Sequence, residues 1–172
     1  MTAHDSPGFS VCFVCTGNIC RSPMAEVIFR SLAERAGLAG RIAVSSAGTG
    51  DWHVGERADP RTIAALAAAG YDGSRHRARQ FDPERLPGLD LVIAFDRSHE
   101  RILRSWATSA DDRAKVHLLL GFDPERAATD VPDPYYSDAA MFAEVLTMIE
   151  RACTGLFAQI QPAVRPSDQG AR

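Results

Sequence analysis

Val11-Cys12-Phe13-Val14-Cys15-Thr16-Gly17-Asn18-Ile19-Cys20-Arg21-Ser22-Pro23-Met24-Ala25-Glu26 passes through three kinds of local structure in succession. Ser10 to Val14 is a short apolar run with β-branched residues, the pattern of a buried strand. Thr16-Gly17-Asn18 is turn-like. Ser22-Pro23-Met24-Ala25-Glu26 opens a helix, with Pro23 expected at its first position. A strand that turns directly into a helix is an α/β unit, and open α/β sheets bind ligands at the carboxyl ends of their strands.

The turn also carries chemistry. Cys15 stands at the end of the strand and Arg21 six residues later, at the mouth of the helix. Successive backbone N–H groups in such a loop form an anion-binding nest, and the helix N-terminus adds partial positive charge. The planar fork of Arg21 suits two phosphate oxygens, and the same setting favours the thiolate of a cysteine. Ser22 is placed to donate a hydrogen bond to that sulfur. Gly17 permits close approach of backbone to an anion, and Asn18 tolerates a left-handed conformation. A nucleotide-binding loop is excluded, because no Gly-Lys-Ser/Thr follows.

Outward from this segment the chain alternates strands and helices. Strands are expected at Arg41 to Ser46, Leu89 to Phe95 and Val116 to Leu120. Helices are expected from Ser22 to Ala36, Asp59 to Ala69, Ser98 to Trp106 and Asp138 to Ile160. A long Pro- and Asp-rich loop covers Gly121 to Ser137. The alternation argues for a parallel sheet with helices on both faces.

Bulk properties narrow the function. The chain has 172 residues, 45% hydrophobic and 24% charged, which fits one globular domain. A net charge of −3 argues against nucleic acid as a partner. No apolar run is long enough for membrane insertion, and Met1 to Gly8 lacks the pattern of a secretory signal, so a cytoplasmic location is expected. The four cysteines, Cys12, Cys15, Cys20 and Cys153, suit neither a disulfide framework nor a zinc site. No metal and no organic cofactor are expected.

VCFVCTGNICRSPMAE resembles the signature of the low-molecular-weight protein-tyrosine phosphatases of bacterial type, and the likeness runs from about Val11 to Ile160. The resemblance implies a single three-layer domain over residues 9–160, a four-stranded parallel sheet flanked by helices, with the phosphate loop after the first strand. Residues 161–172 are expected to be a disordered tail. It further implies hydrolysis of phosphotyrosine through a phosphocysteine, with Cys15 as nucleophile. Thr16, Gly17, Asn18, Ile19, Cys20, Arg21 and Ser22 then hold the phosphate.

The leaving phenolate needs a proton donor, and the attacking water needs a base. Asp130-Val131-Pro132-Asp133-Pro134-Tyr135-Tyr136 offers a carboxyl group between two prolines, which stiffen the loop. Asp-Pro is also ordinary turn chemistry. The resemblance assigns the acid and base role to Asp133, and the aromatic rim to Tyr135 and Tyr136. It places Trp52 and His53 beside the cleft, and His76, Ser46 and Asn18 in a network that holds the loop. Asp96, at the end of the third strand, either orients Arg21 or caps the next helix. Ser137 departs from the family, which often has glycine after the tyrosine pair.

Other activities use the same scaffold. An arsenate reductase relays oxidation through two mid-chain cysteines, and none lies between Cys20 and Cys153. Protein-arginine phosphatases carry threonine where this chain has Ile19, which leaves phosphoarginine as the alternative substrate. A binding module with a dead site would lack Cys15, Arg21 or Asp133. The expected partner is a tyrosine-phosphorylated protein, with a cognate tyrosine kinase as a further candidate; oligomeric state is not legible. Cys20 invites one more expectation, a reversible Cys15–Cys20 disulfide that shields the nucleophile from overoxidation.

Overall fold

The structure, a computed structural model, describes residues 8–126 and 128–164. Four strands, β1 (Phe9–Cys15), β2 (Ile42–Gly48), β3 (Leu91–Ala94) and β4 (Val116–Leu118), form one sheet in the order β2-β1-β3-β4. All neighbouring pairs are parallel. The chain leaves β1 for β2 on one side and reaches β3 on the other, so a crevice opens at the carboxyl end of β1.

Side-chain alternation along β1 builds two cores. Val11, Phe13 and Cys15 face one way, against helices α1 (Arg21–Arg35) and α5 (Ala139–Val164). Phe13 contacts Phe29 at 5.5 Å between ring centroids, and Phe29 contacts Phe157 at 5.6 Å. Cys12 and Val14 face the other way, with Leu86 and Leu103. Leu103 lies on helix α3 (Arg97–Trp106), and on this side the Phe81 and Trp106 rings stack at 6.1 Å. Helix α2 (Pro60–Ala68) begins at Asp59, whose carboxylate accepts the Arg61 N–H as an N-cap, and ends before Gly70 at φ 91°.

Several expected boundaries move. Helix α1 begins at Arg21, so Pro23 is its third residue, still within the first turn where N–H groups lack intrahelical partners. The third strand is shorter than Leu89–Phe95, because Leu89 closes a 3₁₀ turn over Pro83–Gly88. The fourth stops at Leu118, where Leu119–Phe122 winds into another 3₁₀ turn. A short helix α4 (Ala110–Ala114), capped by Ser109, was not foreseen. Gln161 to Val164, expected in the tail, are helical: α5 continues through Pro162 to Val164, whose side chain is buried one turn beyond Ile160. Residues 165–172 of that tail lie outside the described residues.

Candidate active site

The loop between β1 and α1 closes around a cleft of about 440 Å³. Its floor is the run from Cys15 to Arg21 without Asn18, and its walls are Trp52, His53, Asp133, Tyr135 and Tyr136. Segments more than a hundred residues apart in sequence therefore meet at the carboxyl end of β1.

Asn18 sets the loop's shape. Its backbone is left-handed at φ 58°, and it is fully buried. The side-chain amide donates to Ser22 Oγ at 2.8 Å and Ser46 Oγ at 2.9 Å, and accepts the Arg79 N–H at 2.9 Å. Its carbonyl oxygen accepts from Nε2 of His76 at 2.7 Å. Burial pushes His76 below the ordinary imidazole value, which keeps the ring a neutral donor. Ser22 Oγ already accepts from Asn18, so its own proton is free for Cys15 Sγ, 2.9 Å away. The expected trio of Ser46, His76 and Asn18 is thus brought together, and Ser22 joins it to Cys15.

Gly48 and Arg79 complete this support and were not singled out in the sequence. A Cβ at Gly48 would stand 2.7 Å from the Thr16 carbonyl oxygen and 3.2 Å from the Asn18 nitrogen. Only the absence of a side chain lets β2 lie this close beneath the loop. The loop is also sewn to the segment after β2: Thr49 N–H donates to Cys15 O and Gly50 N–H to Thr16 O, at 2.8 and 3.0 Å.

Arg21 is 3% exposed, a buried cation fixed by two oxygens. Nη1 donates to Asp96 Oδ2 and to the Val131 carbonyl, each at 2.9 Å. Both Nη1 hydrogens are thereby used, which leaves Nη2 and Nε for an anion in the loop. Asp96 performs both roles left open by the sequence. Oδ2 orients Arg21, while Oδ1 accepts the Ser98 and His99 N–H groups at the start of α3. Burial opposes ionisation of Asp96, but the Ser98 hydroxyl, the His99 ring and backbone, and Arg21 outweigh it and hold the carboxyl at about 2.

Asp133 faces Arg21 across the cleft, with Oδ2 3.7 Å from Nη2. Oδ1 accepts the Tyr135 N–H at 3.1 Å, so one oxygen is anchored and the other is turned to the cleft. The loop's entrance is pinned to the sheet by the Val131 N–H, which donates to Phe95 O at 2.8 Å. Tyr135 and Tyr136 meet edge to face at 4.9 Å. His53 lies close over Gly17, its ring 6.1 Å from that of Tyr135, with Nδ1 2.6 Å from Glu56 Oε2. The Trp52 ring lies over Gly50 and remains 69% exposed, and Tyr136 is 94% exposed. With Val54 these are the exposed large apolar side chains among the described residues.

The remaining predicted residues are Thr16, Ile19 and Cys20. Ile19 and Cys20 are buried in the loop, and burial with the charges of Asp59 and Cys15 pushes the Cys20 thiol up to about 12. Thr16 shares a 2.8 Å hydrogen bond with Nε2 of His99, a buried histidine on α3. His99 escaped notice because nothing local marks it: only the fold sets it beside a residue 83 positions away.

A strand-end cysteine, a tight loop running into a helix N-terminus, a buried arginine and a facing carboxyl together make a site suited to phosphoryl transfer to sulfur. The profile of the low molecular weight phosphotyrosine protein phosphatase family matches residues 10–165. The chain belongs to that family. It is 54% identical over 158 residues to the low molecular weight protein-tyrosine-phosphatase of Streptomyces coelicolor, covering 91% of this chain and 96% of that one. Among solved structures, YfkJ of Bacillus subtilis superposes with a TM-score of 0.85 at 41% identity, covering 91% of this chain and 97% of that one. YwlE of Bacillus subtilis, an arginine phosphatase, gives 0.78 at 30% identity, over 94% of this chain and 98% of that one. Among the described residues, no helix is long and apolar enough to cross a membrane, and no three His, Cys, Asp or Glu side chains gather as a metal-binding group.

Proposed function

We propose that this protein hydrolyses phosphotyrosine in protein substrates through a phosphocysteine on Cys15, with Asp133 as acid and then base. One observation carries the assignment: Arg21 keeps Nη2 unspent beside the loop, and Asp133 Oδ2 stands 3.7 Å from it on the facing wall. The phosphate dianion enters the loop, and its charge meets the backbone amides and Arg21. The Cys15 thiolate attacks phosphorus, the bond to the phenolic oxygen breaks, and Asp133 gives its proton to that oxygen. Water then attacks phosphorus, Asp133 takes the water's proton, and the P–S bond breaks to return the thiolate. The Ser22 hydroxyl, aimed at Sγ, stabilises that departing sulfur.

The aromatic walls favour an aryl ester. Trp52 and Tyr136 offer broad exposed faces against which a phenyl ring and its flanking residues can rest. The arginine phosphatase among the structural relatives keeps phosphoarginine as the competing substrate. We place the protein in the cytoplasm, where reducing conditions keep a nucleophilic thiol free, and assign a tyrosine kinase as the enzyme that supplies its substrate.

The test is hydrolysis of para-nitrophenyl phosphate at mildly acid pH without added metal, by wild type and Cys15→Ser, followed by matched phosphotyrosine and phosphoarginine peptides. Activity that vanishes in Cys15→Ser, and a higher kcat/KM on phosphotyrosine, are expected. An inactive reduced wild type, or a preference for phosphoarginine, refutes the assignment.

A further inference from the structure

Arg61 joins the two loops on which the reaction depends. It stands in the first turn of α2, and its side chain folds back over the N-cap. Nε and Nη2 donate to the two oxygens of Asp59 at 3.0 and 2.9 Å. The rest of the guanidinium reaches across to the segment that follows Asp133: Nη2 donates to the Tyr135 carbonyl at 2.9 Å and Nη1 to the Ser137 carbonyl at 2.8 Å. Its plane is backed by the Phe142 ring, 4.4 Å below. On the other side, the Asp59 N–H donates to the carbonyl of Ile19, inside the phosphate loop, at 2.9 Å.

A continuous path therefore runs from Ile19 through Asp59 and Arg61 to Tyr135. Tyr135 is the residue whose own N–H grips Asp133 Oδ1 at 3.1 Å. Asp133 has little else to hold it, since its side chain is 46% exposed and its other close partner is Arg21, at 3.7 Å. Pro132 and Pro134 fix two φ angles but cannot set where the segment lies as a body. The entrance is pinned at Val131, and among the described residues the side-chain hydrogen bonds that tie the exit to the rest of the molecule come from Arg61.

We propose that Arg61, braced by Asp59, is a positioning residue for general acid catalysis, fixing the exit of the acid loop so that Asp133 Oδ2 meets the leaving oxygen. The inference rests on Asp133 being the acid. Arg61 does not touch the reacting atoms. A carboxyl displaced by about 1 Å still leaves the nucleophile and Arg21 intact, so the loss falls on the proton transfer.

The experiment compares kcat/KM for phenyl phosphate, whose phenolate is a poor leaving group, with that for 2,4-dinitrophenyl phosphate, which departs without a proton. Wild type, Asp133→Asn, Arg61→Met and Arg61→Lys are measured. Asp133→Asn is expected to lose about 10²–10³-fold on phenyl phosphate and little on the dinitrophenyl ester. Arg61→Met should show the same selectivity at about 10–100-fold. Arg61→Lys retains the charge but cannot span a carboxylate and two carbonyls, and should share the selective loss. Turnover of the dinitrophenyl ester also reports that each variant is folded. Equal losses on both esters, or a lysine variant that behaves as wild type, overturn the positioning role. If Asp133→Asn itself shows no selectivity, the acid assignment fails, whatever Arg61 does.

Discussion

His76 Nε2 lies 2.7 Å from the carbonyl oxygen of Asn18, a buried residue held in the left-handed region at φ 58°. A histidine 58 positions away thus braces the bend of the phosphate loop. Asn18 is the point where backbone strain and side-chain hydrogen bonding reinforce each other, and it separates two contributions that are usually mixed.

Asn18→Ala pays the left-handed cost of about 1 kcal/mol and also strips partners from Ser22, Ser46 and the Arg79 N–H. Asn18→Gly removes the same partners without the backbone cost. Both variants are expected to lose at least tenfold in kcat/KM, while denaturant unfolding finds the glycine variant about 1 kcal/mol more stable than the alanine one. Equal activity to wild type in Asn18→Gly would show that the side-chain network does not shape the loop.

Gly48→Ala tests the close approach beneath the loop. The added Cβ would meet the Thr16 carbonyl at 2.7 Å, so the loop or β2 must shift. A destabilisation of about 1–3 kcal/mol is expected. Binding of inorganic phosphate should weaken several-fold more than that loss alone explains, as read by titration well below the variant's Tm.

Arg21→Lys retains a cation but cannot serve Asp96, Val131 and a phosphate together. A fall in kcat/KM of about 10²-fold or more is expected, with phosphate affinity reduced as well. Near-normal phosphate binding by the lysine variant would show that charge alone holds the anion.

Stability should depend on pH through His99. Burial and the nearby Arg21 charge push it down to about 4, against attraction from Asp96, Asp133 and Asp130. The unfolded chain protonates its histidines near ~6.5. Between those values the unfolded state binds a proton that the folded state refuses, so stability is full above ~6.5 and falls as pH drops towards about 4. The loss attributable to His99 is on the order of 3 kcal/mol, and His76, shifted the same way, adds to it. Thermal unfolding of wild type and His99→Gln from pH 7 to 4.5 checks this, the variant showing the shallower decline.

Peroxide should oxidise Cys15 to a sulfenic acid, which the neighbouring Cys20 thiol converts to a disulfide with loss of water. Cys20→Ser is then expected to recover less activity on reduction than wild type after the same exposure. Full recovery in that variant would remove Cys20 from the protective role.

The phosphate loop was legible because its parts are local. Strand, turn and helix follow one another in Val11 to Glu26, and the nucleophile and arginine lie inside them. Asp133 could be named only through a resemblance, since Asp-Pro by itself signals a turn. Asp59, Arg61, Gly48, Arg79 and His99 were not legible as site residues. Asp59 was expected only as the start of a helix; it caps that helix, and its N–H and its grip on Arg61 act on loops 40 or more residues distant. One boundary error has the same origin. Val164 keeps α5 helical past Pro162 by burying its side chain in the core, a long-range contact that outweighs a local break signal.

Cys15 terminates β1, an interior strand hydrogen-bonded to β2 on one side and β3 on the other. Amides of such a strand exchange with solvent only when the whole domain opens. The backbone of the nucleophile therefore belongs to the last part of the molecule to come apart, while the acid loop beyond Val131 is tied down at its exit by the side chain of Arg61. Under rising denaturant, proton transfer should be lost first, and the Cys15 amide should become exchangeable only with global unfolding.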